Sequence, residues 1–212
     1  MSKDMILAHT WLEVSKKSMA SNAVATDALK SPQTQPNVLD QQFDAKRPND
    51  ESWVSDITYI WTSEGWLYLA GVKYLYTKEL VGYTINKRMT ADLVCRAFNI
   101  AIKNKRPSQG LIVHSDRGSQ YCSHAYHKII KRHQFAGSMS AKGNYFDNAP
   151  IESFWGVLKN ELIYHQDYKT RFAAITDIIR YIELYYNQTR VHKGLSSKSP
   201  RQVWFGYYRQ AA

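Results

Sequence analysis

Three acids stand out in this 212-residue chain because apolar residues crowd around each of them: Asp56 in WVSDITYI, Asp116 in HSDRGSQY and Glu152 in NAPIESFWGVLK. Thirty-five residues (117–151) separate the last two. A charge in such surroundings costs several kcal/mol unless it is paired or bound to a metal. Carboxylates without a histidine or cysteine cluster suit hard Mg²⁺, which takes oxygen ligands and keeps several waters. Two divalent ions roughly 4 Å apart activate an oxygen nucleophile, hold an in-line geometry and compensate charge on the attacking and leaving oxygens of a phosphodiester. The pattern therefore points to metal-dependent cutting and joining of nucleic acid. Each acid also has a plainer reading. Asp56 could face solvent at a sheet edge or pair with a lysine. Asp116 could be a capping or turn aspartate before Gly118. Glu152 could belong to an amphipathic surface stripe with Lys159, a weak ion pair.

The elements that must position these acids are legible in outline. SWVSDITYIW, dense in β-branched and aromatic residues, reads as a buried strand with Asp56 inside it. WLYLAGVKYLY and ELVGYTIN read as second and third strands, the first two joined by a TSEG hairpin turn ending at Gly65. MTADLVCRAFNIAIKNK predicts a helix with Thr90 as N-cap, apolar positions 94, 97, 98, 100 and 101, and a basic end. GLIVHS is apolar on both faces, as a central parallel strand should be. It ends at Asp116, and open α/β sheets place ligands at such carboxyl ends. A helix over Ser123 to His133, a short strand near AGSMS and a polar loop AKGNYFDN follow. A helix over Ala149 to Tyr164 puts Glu152, Trp155, Gly156 and Lys159 on one face at i, i+3, i+4 and i+7. RFAAITDIIRYIELYYN forms another helix, and LSSKSPRQVWFGYY reads as a turn leading to a short apolar piece. This order predicts an α/β domain with a mixed sheet flanked by helices.

Length and a hydrophobic content of 44% fit one catalytic domain with appendages. No run of eighteen apolar residues and no signal-type cleavage site occur, which predicts a soluble, cytoplasmic protein with no membrane partner. Cys95 and Cys122 have neither metal-ligand spacing nor a paired framework and read as reduced thiols. With 28 basic against 18 acidic residues, the net charge of +10 favours a polyanionic partner through counterion release, or else serves solubility. Arg190, His192, Lys193, Lys198 and Arg201 cluster after an aromatic-rich helix and suit phosphate contacts, while Tyr181, Tyr185 and Tyr186 fit a core role better than stacking. Residues 1–50 hold one Trp, one Phe, no Gly and three of the six prolines. They read as a divergent arm and linker, with a short helix around Met5 to Lys17, ahead of a core over 51–212.

Taken in order, WVSDITYI, GWLYLAGV, LVGY, HSDRGSQY, SMSAKGNYFDNAPIESFWGVLKNE and YYNQTRVHKGL with its following SP resemble the transposases of the insertion-sequence three family, specifically their downstream reading-frame product. The resemblance runs from about Val38 to Val203. It implies a ribonuclease H-like integrase core, a mixed sheet of about five strands flanked by helices, in which Asp56, Asp116 and Glu152 form an Asp-Asp-Glu triad that is both catalytic and metal-binding. It implies two Mg²⁺ ions, or Mn²⁺, bridged by Asp56 and Asp116 with Glu152 completing one shell. Element ends and target DNA are the implied partners, bound by a homo-oligomer at the nucleoid, for 3′-end cleavage and strand transfer. Lys159 matches a basic residue that touches DNA in the family, and Arg190 and Lys193 are further DNA candidates. Asn148 and Asp147 either contact substrate or form the turn and N-cap, and His114 and Ser115 orient the strand end. The chain departs from the family at Tyr74, where VKYLYT replaces a pattern like VKDLYT, and before the core, where the usual helical DNA-binding region is missing or replaced. The alternative reading is a truncated, catalytically silent DNA-binding remnant.

Overall fold

Dense β-branched and aromatic residues draw Ser52–Ile60 into strand β1, and Leu67–Tyr74 and Leu80–Asn86 add β2 and β3 as antiparallel neighbours. Ile112–Ser115 (β4) and Ala136–Met139 (β5) join on the other side in parallel, giving the order β3-β2-β1-β4-β5. The computed structural model describes residues 33–45, 52–141 and 145–210, which fall in one unit, Pro32–Ala212. The helix expected around Met5 to Lys17 lies outside the described residues.

Helices α1 (Ala91–Lys105), α2 (His124–Arg132), α3 (Ala149–Glu161), α4 (Arg171–Arg180) and α5 (Pro200–Gln210) follow in sequence. Alternation along β1 sends Trp53 into an apolar cluster with Phe98 of α1 and Tyr126 of α2, and Val54 into another with Ile151, Phe154 and Leu158 of α3. Both faces of the central strand are thus covered, and a charge within it stays buried unless it sits at an end.

Several local expectations are corrected. Thr90 occupies the N-cap of α1 with an extended backbone, but its side chain makes no capping bond; the carbonyl of Thr90 accepts from Leu93 N–H instead. Helix α3 stops at Glu161, three residues short of Tyr164, and gives way to a 3₁₀ turn over Ile163–His165. The second long helix changes to π geometry over Tyr181–Tyr186, which buries Tyr181 and Tyr186 and leaves Tyr185 exposed. The tail is a full helix, α5, where a short apolar piece was expected. A capping box builds it: Gln202 N–H donates to Ser199 Oγ (3.3 Å), and Ser199 N–H donates to Gln202 Oε1 (2.8 Å).

Residues 33–45 also differ from a loose linker. Val38 and Leu39 N–H both donate to Ser138 Oγ, Met139 N–H donates to Pro36 O, and Leu39 is buried. This stretch is hydrogen-bonded against β5.

Gly82 fixes how closely α1 approaches the sheet. A Cβ there falls 2.4 Å from Ala97 O and 2.5 Å from Ala101 N, both backbone atoms of α1. Gly82→Ala is therefore expected to destabilise the protein by about 3 kcal/mol, the upper range for overpacking. A urea midpoint equal to that of the parent argues against this close approach.

Candidate active site

The register of the sheet brings the first two acids together. Ser55 pairs with Ser115 across the parallel β1–β4 ladder, so Asp56 and Asp116 are the next residues of two adjacent strands. Their strands lie roughly 4.8 Å apart. Asp116 leaves the carboxyl end of β4 and turns immediately, its Oδ1 accepting from Gly118 N–H at 2.9 Å.

Helix α3 supplies the third acid and the support. Trp155, buried at 5% exposure, donates Nε1–H to Asp56 Oδ2 at 2.9 Å, and Glu152 lies one turn earlier on an exposed position. Gly71 makes room for that indole. It pairs with Asp56 on β2, and a Cβ there would come 2.7 Å from the Trp155 ring. Beneath the site, Ser55 Oγ donates to Gly71 O and shares a hydrogen bond with the buried Tyr121 hydroxyl. Ser55, Gly71 and Tyr121 were not singled out from the sequence; each is an ordinary core or turn residue until strand pairing shows what it supports.

Asn148 sits at the N-cap of α3 but does not cap it. Its Nδ2 donates instead to Ser55 O at 3.3 Å, pinning the start of the helix to β1. Asp147 beside it is a hub, accepting from Ala141 N–H, Gln41 Nε2 and Asn37 Nδ2. Burial opposes its charge, yet those donors hold its carboxyl below the usual range. His114 is wholly buried between Ser138 Oγ (2.8 Å) and Ser140 Oγ (3.2 Å), and burial pushes it down to about 4. It is a neutral tie between β4 and β5. Tyr74 is core: it pairs with Trp53, three residues along β1 from Asp56, and packs against Trp204 of α5. Cys95 and Cys122 are free and buried.

Electrostatics set the character of the site. Burial, then the charge of Asp116, push Asp56 up to about 7, against the Ile57 backbone and Trp155 hydrogen bonds; Glu152 adds to the rise. Burial raises Asp116 despite its bond from Gly118, and burial followed by the charge of Asp116 raises Glu152. The three acids are thus within electrostatic reach of one another. Among the described residues, no group of three or more His, Cys, Asp or Glu side chains is drawn together closely enough to hold a metal ion as it stands. Lys159, on the same face of α3, lies with Nζ 5.0 Å from the Tyr59 ring centre. Burial lowers it, and Asp56 partly offsets that. An oxygen-only donor set whose members repel one another fits a hard divalent cation.

Asp56, Asp116, Glu152, Lys159 and Asn148 therefore converge, while Arg190 and Lys193 do not. The Arg190 guanidinium clasps Glu161 at the end of α3, with Nε at 2.9 Å and Nη2 at 2.6 Å from Oε1. Exposed Lys193 borders a groove against Pro150, Ser153, Phe154 and Val157, on the face of α3 turned away from Glu152 and Trp155.

Two integrase core domain families match the chain, one over residues 45–145 and the other over 152–203. The chain belongs to the integrase core family. Within it the chain groups with the insertion-sequence three transposases. It is 49% identical over 177 residues to the insertion element IS600 uncharacterized 31 kDa protein of Shigella sonnei, covering 84% of this chain and 65% of the relative. It is 44% identical over 166 residues to transposase InsF for insertion sequence IS3A of Escherichia coli K12, covering 78% and 57%. The integrase core thus spans less than two thirds of either relative. Solved structures of retroviral integrase cores share the fold at low identity. The HTLV-2 integrase catalytic core domain in complex with magnesium superposes with TM-score 0.56 at 17% identity, covering 73% of this chain and 95% of that one. The BIV integrase catalytic core domain gives 0.56 at 16%, covering 76% and 98%. The sheet and its flanking helices are those of the ribonuclease H-like fold. Among the described residues, no helix of this integrase core is long and apolar enough to cross a membrane.

Proposed function

We propose that this integrase core is the catalytic part of an insertion-sequence transposase, cleaving DNA at 3′ ends and transferring the freed 3′-hydroxyl to a target phosphodiester. The observation that carries this reading is the convergence of Asp56, midway along β1, Asp116, just past the carboxyl end of the adjacent parallel β4, and Glu152 in the first turn of α3, each raised in pKa by burial and, for Asp56 and Glu152, by the charge of Asp116. Relatives named as transposases, and the magnesium bound to the HTLV-2 core, support it.

Asp56 and Asp116 would hold Mg²⁺ or Mn²⁺, two ions in all, with Glu152 completing a shell. When bound, such ions supply a stronger nucleophile and charge compensation at the leaving oxygen. The chain's own residues do the positioning. Trp155 Nε1–H and the Ile57 backbone N–H hold the Asp56 carboxylate, and Gly118 N–H orients Asp116. Glu152, on an exposed turn, is the adjustable member. Lys159 offers a charge to a DNA phosphate one turn beyond Trp155. Assembly as a homo-oligomer on DNA, at the nucleoid in the cytoplasm, is part of the same proposal; a simian T-cell lymphotropic virus intasome shares the fold, with TM-score 0.60 at 18% identity. Residues 51–212 form the catalytic part in this reading, with 33–45 docked on it.

The test is a labelled duplex carrying an element end, incubated with the protein in Mg²⁺ or Mn²⁺. A 3′-hydroxyl nick and a joined product are expected. Salt-dependent binding with neither product in either metal identifies a silent DNA-binding remnant instead.

A further inference from the structure

The face of α3 turned away from the triad borders a second charged feature. A groove of about 510 Å³ brings together Lys73, Lys78, Arg190, His192 and Lys193, with Asp44 as its one lining acid. Arg190 is already committed to Glu161. The other ion pairs among the described residues are Arg96–Asp92, Lys105–Glu79 and Lys169–Asp167, so none neutralises Lys73, Lys78 or Lys193.

Lys73 is the unusual member. It is 6% exposed on β2, and its Nζ donates to Pro150 O at 2.7 Å, a neutral partner. Burial, then the charges of Lys78 and Arg190, push it down to about 7. His192 is pushed down to about 4 by burial and by Arg190, Lys73 and Lys78, and its Nε2 is buried without a hydrogen-bond partner. Side chains of one sign, partly desolvated and mutually repelling, carry a cost that a bound anion removes. The groove is in this respect the counterpart of the triad on the other side of the same helix.

We propose that this groove is a phosphate site for a nucleic acid strand, separate from the triad, in which Lys73, Lys78 and Lys193 hold a backbone phosphate of DNA lying across α3. The inference rests on the reading of the core as a DNA enzyme and adds a second anchoring point to it. A helix is roughly 10–12 Å across with its side chains, a span that a strand rising about 3.4 Å per nucleotide covers in a few nucleotides. A phosphate held at Lys73 therefore fixes α3 from behind while Glu152 and Lys159 face the scissile region.

The experiment measures binding of a fluorescent duplex by anisotropy, without divalent metal, over a series of salt concentrations. The full chain is compared with its Lys78→Gln/Lys193→Gln double variant. These side chains are outside the core, so the fold is retained, and a matching thermal transition checks it. The expected result is weaker binding at low salt and a salt slope smaller by about one to two. A slope equal to that of the parent overturns the proposal. In a second arm, inorganic phosphate replaces chloride at equal ionic strength. Phosphate should raise the melting temperature of the parent more than that of the double variant. If it does so while the DNA slope is unchanged, the groove is a small-anion site and the strand assignment fails. Absence of DNA binding by the parent itself removes the underlying enzyme reading as well, so the two failures are distinguishable.

Discussion

Asp116→Asn is expected to cut metal-dependent cleavage and strand transfer by roughly 10²–10³-fold, while making the metal-free protein more stable. The activity loss follows from removing one of three charges that would hold the cation; losing a single preorganised electrostatic group typically costs about 10²–10³-fold. The stability gain follows from the same geometry. Asp116 is raised by burial, and its charge is the second-largest cause raising Asp56 and also raises Glu152. Asparagine keeps an Oδ1 to accept from Gly118 N–H, so the turn survives and only the repulsion is lost. Melting curves in a chelator should show a rise of a few degrees, alongside that loss in a nicking assay on labelled duplex. Cleavage at the parental rate refutes the assignment. Lost activity with lowered stability would make Asp116 a turn residue and nothing more.

The order of strands and helices and the three acids themselves were legible because they depend on local patterns. Alternation marked β1, a doubly apolar run marked β4, and the i, i+3, i+7 spacing put Glu152, Trp155 and Lys159 on one face. What stayed hidden depends on pairing between distant segments. That Gly71 must lack a Cβ becomes visible only when β2 lies beside Asp56 and α3 lies over both. Likewise Ser55 and Tyr121, sixty-six positions apart, become a pair only once β1 and β4 are neighbours.

Two features stayed hidden for opposite reasons. Helix α5 was signalled locally: Ser199, Pro200 and Gln202 form a capping box with proline at the first helical position, but the aromatic tail after it reads as no more than a short apolar piece. The pairing of Arg190 was hidden for a global reason. A basic residue in a polar run looks like a DNA contact, and nothing in the sequence shows that Glu161, twenty-nine positions away, already accepts its guanidinium.

The stability difference between the parent and Asp56→Asn in a chelator should grow from near zero at pH 4 to on the order of 4 kcal/mol at pH 7, then level off. Burial and Asp116 push Asp56 from an ordinary 3.8 up to about 7. Between those values the unfolded chain has released this proton and the folded chain retains it. Unfolding therefore releases a proton, and parental stability falls as pH rises, at about 1.4 kcal/mol per unit over roughly three units. Asparagine still accepts the Trp155 bond through Oδ1 and does not titrate, so it escapes the penalty. The comparison must be a difference because other groups act oppositely. His114 and His192, both pushed down, add stability as pH rises towards their ordinary value, and Lys73 does the same above neutrality. These contributions cancel between parent and variant. Magnesium should reverse the ranking. It binds the ionised carboxylates, so its stabilisation of the parent strengthens as pH climbs to 7 and is weak in Asp56→Asn. A flat difference across this range, with magnesium equally effective on both proteins, would mean that Asp56 is solvated and plays no part in holding the cation. The opposite outcome ties the cost and the use of the site together: the repulsion that weakens the metal-free fold is what gives a divalent cation its affinity.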